Sequence, residues 1–251
     1  MIRTILERIR QKHRTVAFPK APPVLPDRYR GRPEVLSGTC TEDCRACADT
    51  CPTGAITRDK SPIIDIGRCL FCGQCAEICT TGGIRLGKDY RMATRTRDAL
   101  RITDEHTFAL AEALDAKSRR VFGRSLKLRQ VSAGGCNGCE ADLNVLSTVV
   151  YDLGRFGIQF VASPRHADGV VVTGPVTRNM ALALKKTYDA TPAPKFVVAV
   201  GACAISGGPY LGHGECNDGA DRILPVDLYI PGCPPHPATI LDGLLRFLGR
   251  S

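Results

Sequence analysis

The chain has no tryptophan, three methionines and only 6% aromatic residues among 251. Single-stranded nucleic acid is held by stacking bases on rings set between cations. No basic stripe here is interleaved with rings, so no nucleic-acid partner is expected despite a formal net charge of +9. No run of 18 apolar residues occurs, so no segment is expected to span a bilayer. Residues 1–14 lack both the apolar core of a secretory signal and a twin-arginine pair beside one, and a cytoplasmic location is expected. The thirteen cysteines are an odd number, so they cannot all pair as disulfides. Reduced, clustered thiols suit the same compartment.

What the chain does have is cysteine in patterns. Cys44, Cys47 and Cys51 recur 28 residues later as Cys72, Cys75 and Cys79, and Cys40 matches Cys69 with a one-residue offset. The flanks repeat as well, Cys51-Pro-Thr-Gly-Ala-Ile56 against Cys79-Thr-Thr-Gly-Gly-Ile84. In two-cluster ferredoxins the first three cysteines of each run hold one iron–sulfur cube and the fourth crosses to the other. The spacing therefore assigns one [4Fe–4S] cluster to Cys40, Cys44, Cys47 and Cys79, and a second to Cys69, Cys72, Cys75 and Cys51. Structural zinc is the alternative, but zinc sites usually pair two Cys-x-x-Cys units rather than repeat a four-cysteine run. Two departures stand out. Three residues separate Cys40 from Cys44 where two is usual, and Thr80 follows Cys79 where Pro52 follows Cys51.

A third set is dispersed: Cys136 and Cys139, then Cys203, then Cys233, each within two residues of a glycine. From Leu126 the pattern alternates strands (Leu126–Ser132, Ile158–Ala162, Gly169–Thr173, Phe196–Val200, Val226–Ile230) with helices (Glu140–Tyr151, Asn179–Tyr188, His236–Leu248). Such alternation predicts a parallel sheet covered on both faces. Each cysteine of the third set follows the carboxyl end of a predicted strand, where loops of an open parallel sheet converge. The expected fold is an α+β ferredoxin-like two-cluster domain followed by an α/β flavodoxin-like parallel-sheet domain. The expected boundaries are a basic amphipathic helix and proline strap over 1–34, the ferredoxin domain over 35–86, a basic connector over 87–125 with a helix near Glu105–Val121, and the sheet domain over 126–251. Cys216 has no partner set and reads as a bystander.

Residues 126–251 resemble the small subunit of energy-converting group 4 [NiFe]-hydrogenases and the cluster-bearing B subunit of respiratory complex I. The likeness rests on Ala162-Ser-Pro-Arg-His-Ala-Asp168, Gly174-Pro-Val-Thr-Arg-Asn-Met180, Gly201-Ala-Cys203 and Val226-Asp-Leu-Tyr-Ile-Pro-Gly-Cys-Pro-Pro235. Residues 1–102 resemble the ferredoxin-type subunit of formate hydrogenlyase, through Tyr29-Arg-Gly-Arg-Pro33 and Arg68-Cys-Leu-Phe-Cys-Gly-Gln-Cys75. The chain thus resembles a fusion of two subunits. The resemblance implies that Cys136, Cys139, Cys203 and Cys233 hold a proximal [4Fe–4S] cluster facing a catalytic large subunit. The complex I relatives carry adjacent cysteines at the first position; Cys136-Asn-Gly-Cys139 has the hydrogenase form.

Three clusters, each adding about −2 when oxidised, would bring the loaded chain from +9 to roughly +3. The resemblance implies an electron-transfer subunit, not catalytic alone. It would be peripheral on the inner face of the cytoplasmic membrane through partners: a [NiFe] large subunit, membrane subunits and an electron-donor protein. A quinone-reducing complex I-like assembly, or a related one without nickel, is the rival. A free-standing ferredoxin with a flavin-binding domain is a further alternative, against which the loop after the first strand of the sheet bears cysteines instead of phosphate contacts. Glu140 reads either as an anion at the positive end of a helix dipole or, by resemblance, as a proton relay. Arg165 and His166 read as cations tuning the cluster or as ordinary ion-pair partners.

Overall fold

The computed structural model describes residues 2–12, 14–36, 40, 44–59, 61–103 and 108–250. The first helix, α1 (Ile2–Gln11), buries none of its residues. The proline-rich strap that follows runs over the surface of the C-terminal half. Val16 donates its N–H to the carbonyl of Val150 at 2.9 Å, and Arg155 donates to the carbonyls of Val16 and Phe18. Phe18 is buried edge-on against Tyr90 at 6.0 Å.

The cysteine repeat folds as two small antiparallel pairs. It opens on β1 (Pro33–Val35), and α2 (Ala46–Asp49) follows the first cysteine loop. β2 (Ile56–Arg58) pairs with β3 (Pro62–Asp65), α3 (Gln74–Glu77) follows the second cysteine loop, and β4 (Ile84–Leu86) closes onto β1. β5 (Arg101–Ile102), from the connector, joins the free edge of β3. Elsewhere the connector reaches the other half, where Thr94 and Tyr229 exchange backbone hydrogen bonds of 3.0 and 2.9 Å.

The connector helix is shorter than expected. α4 covers Ala116–Phe122, capped by Asp115, whose carboxylate accepts from the N–H groups of Lys117 and Ser118. Glu105 lies outside the described residues, and 108–115 form no helix. Phe108 packs on one hydrophobic cluster, Ala111 and Leu114 on another. Their helical spacing therefore reflects burial of an irregular segment.

The C-terminal half is β6 (Leu126–Ser132), α5 (Gly138–Val145), β7 (Ile158–Phe160), β8 (Gly169–Thr173), α6 (Arg178–Ala190), β9 (Phe196–Val200), α7 (Ala202–Ser206), β10 (Leu228–Ile230) and α8 (Pro237–Phe247). All its strand pairs are parallel, in the order β7-β6-β8-β9-β10. Counted within the sheet this is 2-1-3-4-5, the order of flavodoxin-like doubly wound sheets. Successive residues of β8 alternate faces. Val171 joins the layer of α5 and α8, with Leu143 and Leu244, while Val170 and Val172 join the layer of α6 and α7, with Leu184 and Ile205. α5 ends at Val145, six residues short of the expected Tyr151, and the chain then turns through Asp152 at φ +48°.

The second layer does not stop at the sheet. Ile56, Ile64, Ile66 and Leu100 of the ferredoxin-like half share one buried cluster with Val172, Ile205 and Tyr229. Ile205 is 1% exposed. Its truncation to alanine should cost about 2–5 kcal/mol, and hydrogen–deuterium exchange should quicken in peptides covering both β3 and β9. A rise confined to the β9 side would mean the two halves have separate cores.

Candidate metal centres

The second cysteine set is the most enclosed. Cys51, Cys69, Cys72 and Cys75 line a single pocket walled by Pro33, Ile56, Ile64, Phe71 and Leu86. Burial pushes the Cys69 thiol up to about 12, with Cys75, Cys51 and Cys72 adding to the rise. Burial pushes Cys75 to about 11, and Cys72, Cys51 and Cys47 add to it. Cys69 and Cys75 would not ionise in this pocket unaided, since burial and the neighbouring thiols oppose their charged forms. They suit a multi-iron group whose positive charge stabilises thiolates.

In the first set, burial lifts the Cys47 thiol, and Cys40 and Cys44 lie close enough to lift it further. The Cys75–Cys47 interaction places the two sets side by side. The extra loop residues 41–43 lie outside the described residues. Internal symmetry is clearest at the two crossing cysteines. The sulfur of Cys51 accepts from the N–H of Ala55 at 3.3 Å, with the Thr53 hydroxyl at 3.8 Å; the sulfur of Cys79 accepts from Gly83 at 3.2 Å, with Thr81 at 3.6 Å. Gly54 and Gly82 close both turns onto the cysteine carbonyls at 3.2 and 3.3 Å. Thr80 thus permits the same turn as Pro52. Phe71 likewise aims its N–H at Cys69 sulfur, 3.3 Å away.

The third set is assembled by topology. Cys136 and Cys139 follow β6, Cys203 lies in the first turn of α7 after β9, and Cys233 follows β10. Burial raises the Cys139 thiol most, and Cys203, Glu140, Cys233 and Cys136 raise it further. Burial takes Cys203 up to about 12, with contributions from Cys233, Cys136, Glu140 and Cys216. The four cysteines therefore share one electrostatic neighbourhood, with Cys136 and Cys233 exposed and Cys139 and Cys203 half-buried. Gly201 sits at φ +89°, and a Cβ there would lie 2.4 Å from the Cys139 sulfur. Only glycine fits that backbone and that gap. Among the described residues no three His, Cys, Asp or Glu side chains group as ligands of one ion. A cube, whose thiolates bind separate irons, does not require such a grouping.

Glu140 is 6% exposed in the first turn of α5, and one carboxylate oxygen accepts from the hydroxyls of Ser132 and Thr173, each at 2.6 Å. Burial works to raise its pKa, and these two bonds with a backbone amide more than offset it, for a net lowering. The carboxylate ties α5 to the ends of β6 and β8. The sequence offered no sign of Ser132 and Thr173 as its partners. Cys216 lies nearer the third set than expected, within electrostatic reach of Cys203 and bridged to Thr177.

Arg165 and His166 are not brought to the cysteines. They line a groove with Phe122, Ser125, Lys127 and Pro194, residues at or just before the amino ends of β6 and β9. Those lie at the opposite end of the strands from the cysteine loops. The motif in this segment suggested cations beside the cluster, whereas here the loop after β7 folds back toward the start of β8 and carries both residues away from the cysteines.

Comparison with known proteins adds the following. Residues 136–247 match the family model of the NADH ubiquinone oxidoreductase 20 kDa subunit, and residues 30–83 match a 4Fe-4S dicluster domain. The probable membrane-bound hydrogenase subunit mbhJ of Pyrococcus furiosus is 44% identical over 131 residues, 52% of this chain and 78% of that one. The NADH-quinone oxidoreductase B subunit of Bacteroides thetaiotaomicron is 46% identical over 50% of this chain and 64% of its own length. Formate hydrogenlyase subunit 7 of Escherichia coli is 44% identical over 55% of this chain and 54% of its own length.

The hydroxyls facing Glu140 give the first test. Thr173→Val keeps the shape and removes one hydrogen bond to a buried anion, which should cost about 1.5–3 kcal/mol in urea unfolding. Thr173→Ser keeps the hydroxyl and should stay closer to wild type.

Proposed function

This chain belongs to the family of the NADH ubiquinone oxidoreductase 20 kDa subunit, and from that premise we propose that it is an electron-transfer subunit of a membrane-associated hydrogenase-type complex, with twelve cysteines holding three [4Fe–4S] clusters. In this reading Cys40, Cys44, Cys47 and Cys79 hold the first, Cys69, Cys72, Cys75 and Cys51 the second, and Cys136, Cys139, Cys203 and Cys233 the third. Such clusters supply one-electron transfer when bound. The donor chemistry supports the fit: thiols only, backbone N–H groups aimed at sulfur, and a glycine where a side chain would strike a ligand.

The seam between the second and third cysteine sets carries the proposal. Ser206, three residues after Cys203, donates a buried hydrogen bond of 2.9 Å to the carbonyl of Gly67, two residues before Cys69. Phe71, between Cys69 and Cys72, faces an open groove together with Asp142 of α5 and with Pro234 and Pro235 beside Cys233. The second set thus neighbours both of the others, which supports a relay passing through it. At the far end the exposed Cys136 and Cys233 supply the face for a catalytic large subunit, while the first set supplies the face for an electron donor. Glu140 acts as a positioning residue, holding the first turn of α5 against two strand ends.

Anaerobically purified protein should contain about twelve irons and twelve sulfides per chain. Gly201→Ala or Cys203→Ala should lower both to about eight and erase one paramagnetic signal. Cys216→Ala should leave the count unchanged; an equal loss there would replace a member of the third ligand set.

The form Cys136-Asn-Gly-Cys139 favours a [NiFe] large subunit as partner. Co-purified with proteins encoded beside it, the chain should bring down a large subunit and membrane subunits, and the assembly should contain nickel. An assembly that is complete, nickel-free and reduces a quinone would favour the complex I-like alternative suggested by the similarity to an NADH-quinone oxidoreductase component.

A further inference from the structure

We propose that α1 is an anchor for an anionic lipid surface, so that the chain touches the membrane directly as well as through other subunits. Ile2, Ile5, Leu6 and Ile9 are 76, 59, 59 and 67% exposed, and no described residue of the chain covers them. At 3.6 residues per turn these four fall within a stripe about 100° wide. Arg3 and Arg10 flank the stripe on one side and Arg8 on the other, with Lys12 and Arg14 just beyond the helix. Thr4, Glu7 and Gln11 occupy the far side. Cations on both shoulders of an apolar stripe, with the single acid turned away, fit a helix lying in the interface plane. There long basic side chains reach the headgroups while the stripe enters the acyl boundary.

The helix is also well rooted. Thr15 donates to the carbonyl of Val149 at 2.9 Å and Val16 to that of Val150 at 2.9 Å. Val145, Val149 and Val150 are themselves 36, 66 and 40% exposed. α1 therefore leaves the body of the protein beside a second group of uncovered apolar side chains. A second copy of the chain is a poorer occupant. A ten-residue helix is about 15 Å long, too short to bury the roughly 800 Å² per partner of a standard interface, and like-charged shoulders would meet.

Flotation of the cluster-loaded chain with vesicles is the test. Wild type should float with phosphatidylglycerol-containing vesicles, far less with pure phosphatidylcholine, and should be released by high salt. Arg3→Gln with Arg10→Gln should weaken binding to the anionic vesicles by about 30-fold. Ile5→Glu with Ile9→Glu should abolish it, with an unchanged visible spectrum, because α1 contributes nothing to the core. Failure of wild type to float, or undiminished flotation of the Ile5→Glu, Ile9→Glu variant, would overturn the proposal. So would a dimer in solution that the same variant dissolves, which would assign the face to a second copy. None of these outcomes bears on how many clusters the chain holds or on the identity of the large subunit.

Discussion

Thiols gathered out of reach of bulk water resist ionisation, and each raises the cost for its neighbours. In this protein that electrostatic penalty is large at Cys69, Cys139 and Cys203, where burial and neighbouring thiols act together. The architecture is arranged to sustain it. Short helices, tight turns and strand ends hold sulfurs together that would otherwise separate, and backbone N–H groups directed at Cys51, Cys69 and Cys79 favour the charged form that a metal needs. Metal binding and the local fold are then mutually dependent.

The two halves meet this requirement differently. In the ferredoxin-like half the cysteines come from a local duplicated motif, and the repeat extends to the hydrogen bonds at Cys51 and Cys79. In the parallel sheet Cys136 and Cys233 are nearly a hundred residues apart, and only the convergence of loops at the carboxyl ends of β6, β9 and β10 unites the third set. That convergence depends on the strand ends staying in place. Glu140, held by Ser132 and Thr173, fastens the first of these loops to two neighbouring strands.

Much of this was legible because the signals were local. The bounds of β8 and β9 follow from runs of buried valine, β6 from buried Leu126, Leu128 and Val131 among polar residues, and the duplicated cysteines announce themselves by spacing. What was not legible depends on contacts between distant residues. The spacing of Phe108, Ala111 and Leu114 imitates a helix, yet these side chains are buried by separate clusters on an irregular path. Arg165 and His166 sit in a segment whose motif is recognisable, while the direction of the returning loop, which carries them to the amino ends of the strands, leaves no trace in periodicity. The hydroxyl partners of Glu140 and the Ser206–Gly67 bond are likewise invisible until the chain is folded.

The connector supplies β5 to one half and the Thr94 bridge to the other, and the hydrophobic layer passes from one half into the other without a break. The peptide link between them therefore adds little that the contacts do not already provide. Its main effect is to raise effective concentration and to fix a one-to-one stoichiometry. Two separate polypeptides with these surfaces would assemble in the same pose, so joining them into one chain, or dividing one chain into two, changes how the unit is produced far more than how it is built.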